Sequence, residues 1–203
     1  MDLFAEQGPQ ALDMADAEVL YWPGVDLGES PTTLMTTLVT ETPWREETLR
    51  LFGKTYLQPR LMAWYGDEGA DYTYSGTRFR ALPWTPCLQD LKARVEALCD
   101  AHFNSVLLNY YRDHRDSMGM HADDEPELGP QPVIASLSLG ATRTLVFRHR
   151  RRRELESVKL PLVAGSLLLM RGDTQRCWKH GINKLTRPCG ARVNLTFRAI
   201  HQD

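Results

Sequence analysis

Two side chains of metal-ligand type stand one residue apart in "MGMHADDEPE" (118–127): His121 and Asp123. On extended chain a two-residue spacing sends both to the same face, so an imidazole and a carboxylate can take adjacent positions on one ion. His180, which opens "HGIN" after the apolar run "GSLLLM", is the candidate third ligand. Two histidines and one carboxylate on one face of an octahedral metal leave three positions open. That suits iron(II) centres which bind a chelating cosubstrate and oxygen. The HxD letters alone are weak, because short patterns recur by chance and a solvated loop carries the same ones.

A second pattern adds weight. In "ARVNLTFR" strand alternation sends Arg192, Asn194, Thr196 and Arg198 to one face and Val193, Leu195 and Phe197 to the other. An outer strand with its polar face in water satisfies this pattern. If the polar face instead points into a closed sheet, a buried guanidinium without a partner costs several kcal/mol, and an anion must meet it. A small dicarboxylate serves, one end chelating the metal and the other held bidentately by an arginine. "LLNYY" adds Asn109 and Tyr111 on one strand face as donors for the same carboxylates.

The elements that must position these groups are of two kinds. "ESPTTLMTTLV" and "TPCLQDLKARVEALC" are helices with Ser30 and Thr85 as N-caps and Pro31 and Pro86 at the first helical position. Leu88, Leu91, Val95 and Leu98 form the core-facing stripe of the second. From about residue 103 the chain reads as short strands, "FNSVLLNYY", "PVIASLSLG", "TRTLVFRH", "SVKLPL", "GSLLLMR" and "ARVNLTFR", which together predict a jelly roll or barrel buttressed by the helices.

The 203 residues, 42% hydrophobic and 25% charged, fit a single domain over 1–203. A net charge of −2 argues against a protein that holds nucleic acid by overall charge, so any such contact is local. No run of about 18 apolar residues occurs and the acidic start lacks a signal-peptide layout, so the expectation is a soluble, cytoplasmic protein with no membrane partner. Cys87, Cys99, Cys177 and Cys189 form no CxxC pair, and the first two lie about three helical turns apart, which predicts reduced thiols.

Taken in order, "NSVLLNYY", "HADDE", "IASLSLGATRTLVFRH", "LPLVAGSLLLMRGDTQRCWKH" and "RVNLTFR", preceded by "QPRLMAWYGDEGADYTYSG", resemble the AlkB family of iron(II)/2-oxoglutarate dioxygenases over roughly residues 50 to 199. The upstream segment is most similar to the branch that repairs alkylated duplex DNA. The resemblance implies a mainly β, α+β fold, a double-stranded β-helix (jelly roll) over about 103–199, with helices and a nucleotide-recognition lid over about 1–102. It implies iron(II) on His121, Asp123 and His180, with no catalytic residue beyond these ligands. It also implies 2-oxoglutarate on Asn109, Tyr111, Arg192 and Arg198, with Asn194 on the same strand face.

On the substrate side the resemblance makes Tyr72 and Tyr74 stacking residues for a flipped base. Aromatics alternating with Thr73 offer a π-face and a hydroxyl. Glu125 is expected near the base edge, where a carboxylate favours a cationic methylated base over the neutral one. Phe52, beside Gly53 in "RLFGKTY", matches a wedge that offsets the cost of unstacking, and Arg60 in "QPRL" is expected to reach a phosphate. Two features depart from the duplex-repairing pattern. Only Lys184 and Arg187 stand between His180 and "RVNLTFR", and the loop after "FRH" is short and dense in arginine (148–153). The implied activity is oxidative demethylation of bases such as 1-methyladenine and 3-methylcytosine in single- or double-stranded DNA by a monomer, located with the nucleoid or nucleus if bound to DNA. The alternatives are the same chemistry on RNA or protein, or a non-catalytic jelly-roll binding module.

Overall fold

The computed structural model describes residues 8–51, 54–70, 72–74 and 77–201, with only the backbone of 49–51, 54, 55, 72–74 and 77–79. The two longer helices begin where the sequence places them. The Ser30 side chain accepts from the Thr33 N–H ahead of α1 (Pro31–Glu41), and that of Thr85 accepts from the Leu88 N–H ahead of α2 (Pro86–Cys99). Each cap satisfies one orphan donor of the first turn, and proline there has no N–H to leave unpaired. The buried stripe of α2 is Leu88, Leu91, Val95 and Cys99, while Leu98 is 39% exposed. The expected stripe is thus corrected at its last member. A period of 3.6 carries the buried face from Val95 to Cys99 and leaves Leu98 at its edge.

The strands are β1 (Gln10–Ala11), β2 (Glu18–Trp22), β3 (Arg45–Leu51), β4 (Lys54–Gly66), β5 (Tyr72–Tyr74), β6 (Thr77–Phe79), β7 (Ser105–Tyr111), β8 (Met118–His121), β9 (Ile134–Gly140), β10 (Arg143–His149), β11 (Val158–Leu162), β12 (Leu167–Arg171), β13 (Trp178–Ile182) and β14 (Arg192–Arg198). A short helix, α3 (Thr174–Cys177), links β12 to β13, and a 3-10 turn covers Pro126–Leu128. Among the described residues the major sheet runs β1-β2-β12-β9-β14-β7-β4-β3 and the minor sheet β11-β10-β13-β8, with β5 and β6 as a separate pair. The strand pairs within these sheets are antiparallel.

Two cores follow from strand alternation. On one face of the major sheet Val106, Leu108, Leu137, Leu139, Val193, Leu195 and Phe197 pack with Leu34 and Leu38 of α1 and Leu88, Leu91 and Val95 of α2. On its other face Met62, Trp64, Leu107, Tyr111, Ile134, Leu168 and Met170 meet Leu145, Phe147, Trp178 and Ile182 of the minor sheet. Each such aliphatic side chain, fully buried, contributes about 1.5–3 kcal/mol. The site lies between the sheets, at the margin of this second core. Helices on one face and a second sheet on the other make a jelly roll with flanking helices. The most extensive departure from the sequence pattern is in the first half, where β2, β3 and the thirteen-residue β4 join the major sheet. No helix among the described residues is long and apolar enough to cross a membrane.

One glycine matters for the site. A Cβ at Gly181 would lie 2.9 Å from the Met118 carbonyl oxygen and 3.0 Å from that of Gly119. Its absence allows β13 and β8 to approach closely, next to the cross-strand pair His180–His121.

Candidate metal centre and cosubstrate pocket

β8 delivers His121 from its last position, the chain continues to Asp123, and β13 sets His180 directly opposite His121. One ligand atom from each of the three lies within 4.8 Å of the others. His121 Nε2 is 3.8 Å from Asp123 Oδ1 and His180 Nε2 is 4.0 Å from Asp123 Oδ2, with the two imidazole centroids 4.4 Å apart. The HxD pair and the later candidate histidine therefore converge. His121 Nδ1 faces the Gly119 carbonyl at 2.9 Å, which places a proton on Nδ1 and leaves Nε2 as the lone-pair nitrogen.

The electrostatics suit a divalent metal. Burial pushes the Asp123 carboxyl up, but the Arg198 guanidinium and the two imidazoles outweigh it and hold the group at about 2. Burial, with His121 alongside, drives His180 down to about 3 against the pull of Asp123, and burial likewise lowers His121. Near neutral pH the cluster is an ionised carboxylate between two neutral imidazoles, the protonation state in which all three donate to a metal. Among the described residues Asp123 Oδ2 has no hydrogen-bond partner, a buried acceptor that a cation would satisfy. Asp123 is held twice besides: its backbone N–H donates to Gln175 Oε1 at 3.0 Å, and Oδ1 accepts from Arg198 Nη2 at 2.9 Å.

Beside the triad is a cavity lined among others by Tyr111, Ser136, Arg192, Asn194, Thr196 and Arg198. The polar face of β14 points inward, resolving the alternative left open by alternation alone. Arg192 is 2% exposed, donates from Nη2 to Ser138 Oγ at 2.9 Å and lies over the Tyr111 ring at 5.1 Å. Its Nε and Nη1 have no hydrogen-bond partner among the described residues. Burial lowers its pKa, and Arg143 nearby lowers it further against the opposing effect of Tyr111. A buried cation with two orphan donors and no carboxylate paired to it among the described residues is the arrangement that a dicarboxylate completes. Asn109, opposite Asn194 in the β7–β14 register, likewise has an amide nitrogen with no partner among the described residues. Asn194 lines the cavity, but its amide hydrogens already go to Ser136 Oγ and the Leu137 carbonyl, and its oxygen accepts from Thr196.

The substrate-side residues fare differently. Glu125 is part-buried at the entry to the 3-10 turn, two residues beyond Asp123. Phe52 lies outside the described residues, as do the side chains of Tyr72 and Tyr74, whose backbone forms β5 paired with β6. Arg60, expected to reach a phosphate, is 2% exposed and donates from Nε to Asn109 Oδ1 at 2.6 Å. β4 is an interior strand with Met62 opposite Asn109, so residues alternating with Met62 turn inward.

Three contributors escaped the sequence. Gln175 sits in the short α3 with no pattern around it. Arg143, 1% exposed, donates to the carbonyls of Asp113, Asp116 and Asn183 and looks like any strand-opening arginine. Ser138 carried a legible signal, the alternation of Ser136 and Ser138 in "IASLSLG", whose small polar side chains share a face with Arg192 and Asn194.

Residues 21–198 match the 2OG-Fe(II) oxygenase superfamily. The chain is 44% identical over 196 residues to the mouse alpha-ketoglutarate-dependent dioxygenase alkB homolog 3, spanning 92% of this chain and 68% of that protein. It is 44% identical over 158 residues to the mouse DNA oxidative demethylase ALKBH2 and 42% identical to the human one, 75% of this chain in each case and 66% and 60% of those proteins. The solved structure of OsALKBH1 superposes with a TM-score of 0.64 at 15% identity, over 94% of this chain and 99% of that one, which speaks for the fold alone. With the His-Asp-His cluster and the anion-seeking arginine pocket in place, the chain belongs to the AlkB family within the 2OG-Fe(II) oxygenase superfamily and is an iron(II)- and 2-oxoglutarate-dependent dioxygenase.

Proposed function

We propose that the enzyme reverses N-alkylation of nucleic-acid bases, with 1-methyladenine and 3-methylcytosine in DNA as substrates, acting as a monomer. One observation carries the reading: the triad and its arginine pocket stand in a chain 44% identical to a DNA oxidative demethylase. When bound, iron(II) with oxygen and 2-oxoglutarate supplies the oxidant that hydroxylates the N-methyl carbon, giving succinate, carbon dioxide and, from the unstable hydroxymethyl base, formaldehyde.

The protein's own part is to hold and exclude. His121, Asp123 and His180 would hold the metal, Arg192 with Tyr111 would take the distal carboxylate of the cosubstrate, and Asn109 would donate to it from its unpartnered nitrogen. Arg198 stays with Asp123 and keeps that carboxylate ionised and oriented. Glu125 supplies negative charge on the triad loop, which favours a methylated, cationic base over its neutral parent. Tyr72 and Tyr74 would stack the flipped base and Phe52 would wedge into the stack it leaves.

The test is mass spectrometry of oligonucleotides carrying 1-methyladenine, 3-methylcytosine or other N-methyl bases, as DNA and as RNA, incubated with iron(II), 2-oxoglutarate and ascorbate. Loss of 14 mass units from the cationic lesions in DNA supports the reading. Turnover confined to RNA would move the assignment to RNA repair, and cosubstrate decay with no base product would point to protein hydroxylation.

A further inference from the structure

Arg60 carries a charge into the interior that neither the metal nor the known chemistry requires. It is 2% exposed, it has no carboxylate partner among the described residues, and its Nη2 is buried without a hydrogen-bond partner. What it does have is Asn109. Arg60 Nε donates to Asn109 Oδ1 at 2.6 Å, and Nη1 stands 3.5 Å from the Ser117 carbonyl, just ahead of the strand that bears His121. Met62 lies opposite Asn109 in the β4–β7 pairing, so Arg60 reaches the amide diagonally across the ladder, within the span of a long side chain.

The chemical consequence lies in the polarity of the amide. A guanidinium has donors and no acceptor, whereas a carboxamide has one end of each kind. Facing Arg60, Asn109 must present its oxygen, because the turned amide would set N–H against N–H in a buried site. Its nitrogen is then committed to the other side, where it has no partner, and Asn109 is 1% exposed. On β7 it alternates with Tyr111, which is paired with Arg192, so it shares the inner face that lines the cosubstrate region.

We propose that Arg60 is a positioning residue that locks Asn109 in the donor orientation, making it selective for an anionic acceptor such as the carboxylate of 2-oxoglutarate. The inference rests on the reading of Asn109 as a cosubstrate ligand. Arg60 touches neither metal nor cosubstrate in this role; it acts by fixing which end of a neighbouring amide faces the site.

The experiment is calorimetric binding of 2-oxoglutarate to the manganese(II)-loaded protein, with no turnover required. Arg60→Lys keeps a donor-only cation, so its affinity stays within about two-fold of wild type. Arg60→Gln offers donor and acceptor alike, lets the amide turn, and weakens binding about ten-fold, the value of one net hydrogen bond. Asn109→Ala weakens binding by a similar factor, and adding Arg60→Gln to it costs nothing further, because both act through one contact. Circular dichroism and melting curves accompany each variant, and a defect in Arg60→Gln that persists in the Asn109→Ala background would overturn the proposal as a merely structural effect. Equal affinities for wild type, Arg60→Lys and Arg60→Gln would overturn it while Asn109→Ala still binds weakly. Unchanged binding in Asn109→Ala would overturn the reading of Asn109 itself.

Discussion

Asp123 and Arg198 form a buried ion pair, Oδ1 to Nη2 at 2.9 Å, between side chains 1% and 4% exposed. The carboxylate that a metal needs is therefore ionised and aimed before any metal arrives, and the pair fastens β14 to the loop after β8.

Alanine at His121, Asp123 or His180 should each abolish iron-dependent decarboxylation of 2-oxoglutarate, but the three should differ in stability. Asp123→Ala leaves the Arg198 charge without its carboxylate, and breaking a buried pair costs about 3–5 kcal/mol, so its chemical-denaturation midpoint should fall well below those of the histidine variants. Arg198→Ala should show the same instability together with weakened manganese(II) binding. Equal midpoints across the set would show that the pair adds nothing to stability.

Arg192→Met should separate stability from function. The guanidinium is buried with two orphan nitrogens, so an apolar side chain of similar length should raise the melting temperature of the metal-free protein. The same change should weaken 2-oxoglutarate binding by about one to two decades, the value of a charge-assisted contact. Calorimetry and melting curves on the one variant check both halves.

Gln175→Leu removes the acceptor that holds the Asp123 backbone N–H at 3.0 Å. Supporting contacts of this kind are worth about 10–100-fold in metal affinity, so manganese(II) titration should show a loss of that order while the fold remains. An unchanged titration would make the contact incidental.

Phe52→Ala should slow repair of 1-methyladenine in duplexes and leave single strands nearly unaffected. Flipping a base from a duplex costs a few kcal/mol, which a single strand never has to meet. Rates on both substrates at fixed salt decide it, since equal loss on both would make Phe52 a packing residue. With Lys184 and Arg187 as the cations of the exposed 183–188 loop, wild type should prefer single strands modestly.

Cys99 gives a pH prediction. Burial pushes its thiol up to about 12, against a small opposing effect of Arg171, and the residue is 3% exposed. A raised pKa keeps the group protonated throughout the working range, with a thiolate fraction at pH 8 of about one in ten thousand. Iodoacetamide on the native protein at pH 8 should leave Cys99 unmodified, and the unfolded protein should react fully, as peptide mass spectrometry will show.

The local pattern determined which residues share a face. Ser30 and Thr85 as caps, and the division of β14 into Val193, Leu195, Phe197 against Arg192, Asn194, Thr196, Arg198, follow from helix and strand periodicity, which the chain carries residue by residue. What periodicity leaves open is which face is inside and who stands opposite. The inward turn of β14, the pairing of His180 with His121 across a close approach at Gly181, and the choice of Asp123 as partner for Arg198 were settled only when distant strands came into register. Arg60 is the clearest case. Along the chain "QPRL" gives no sign of an interior charge, yet the position of β4 beside β7 buries it against Asn109. A side chain's partner depends on long-range pairing, and the energy of a buried charge depends on that partner, so the polar groups most important to the site were the ones least readable along the chain.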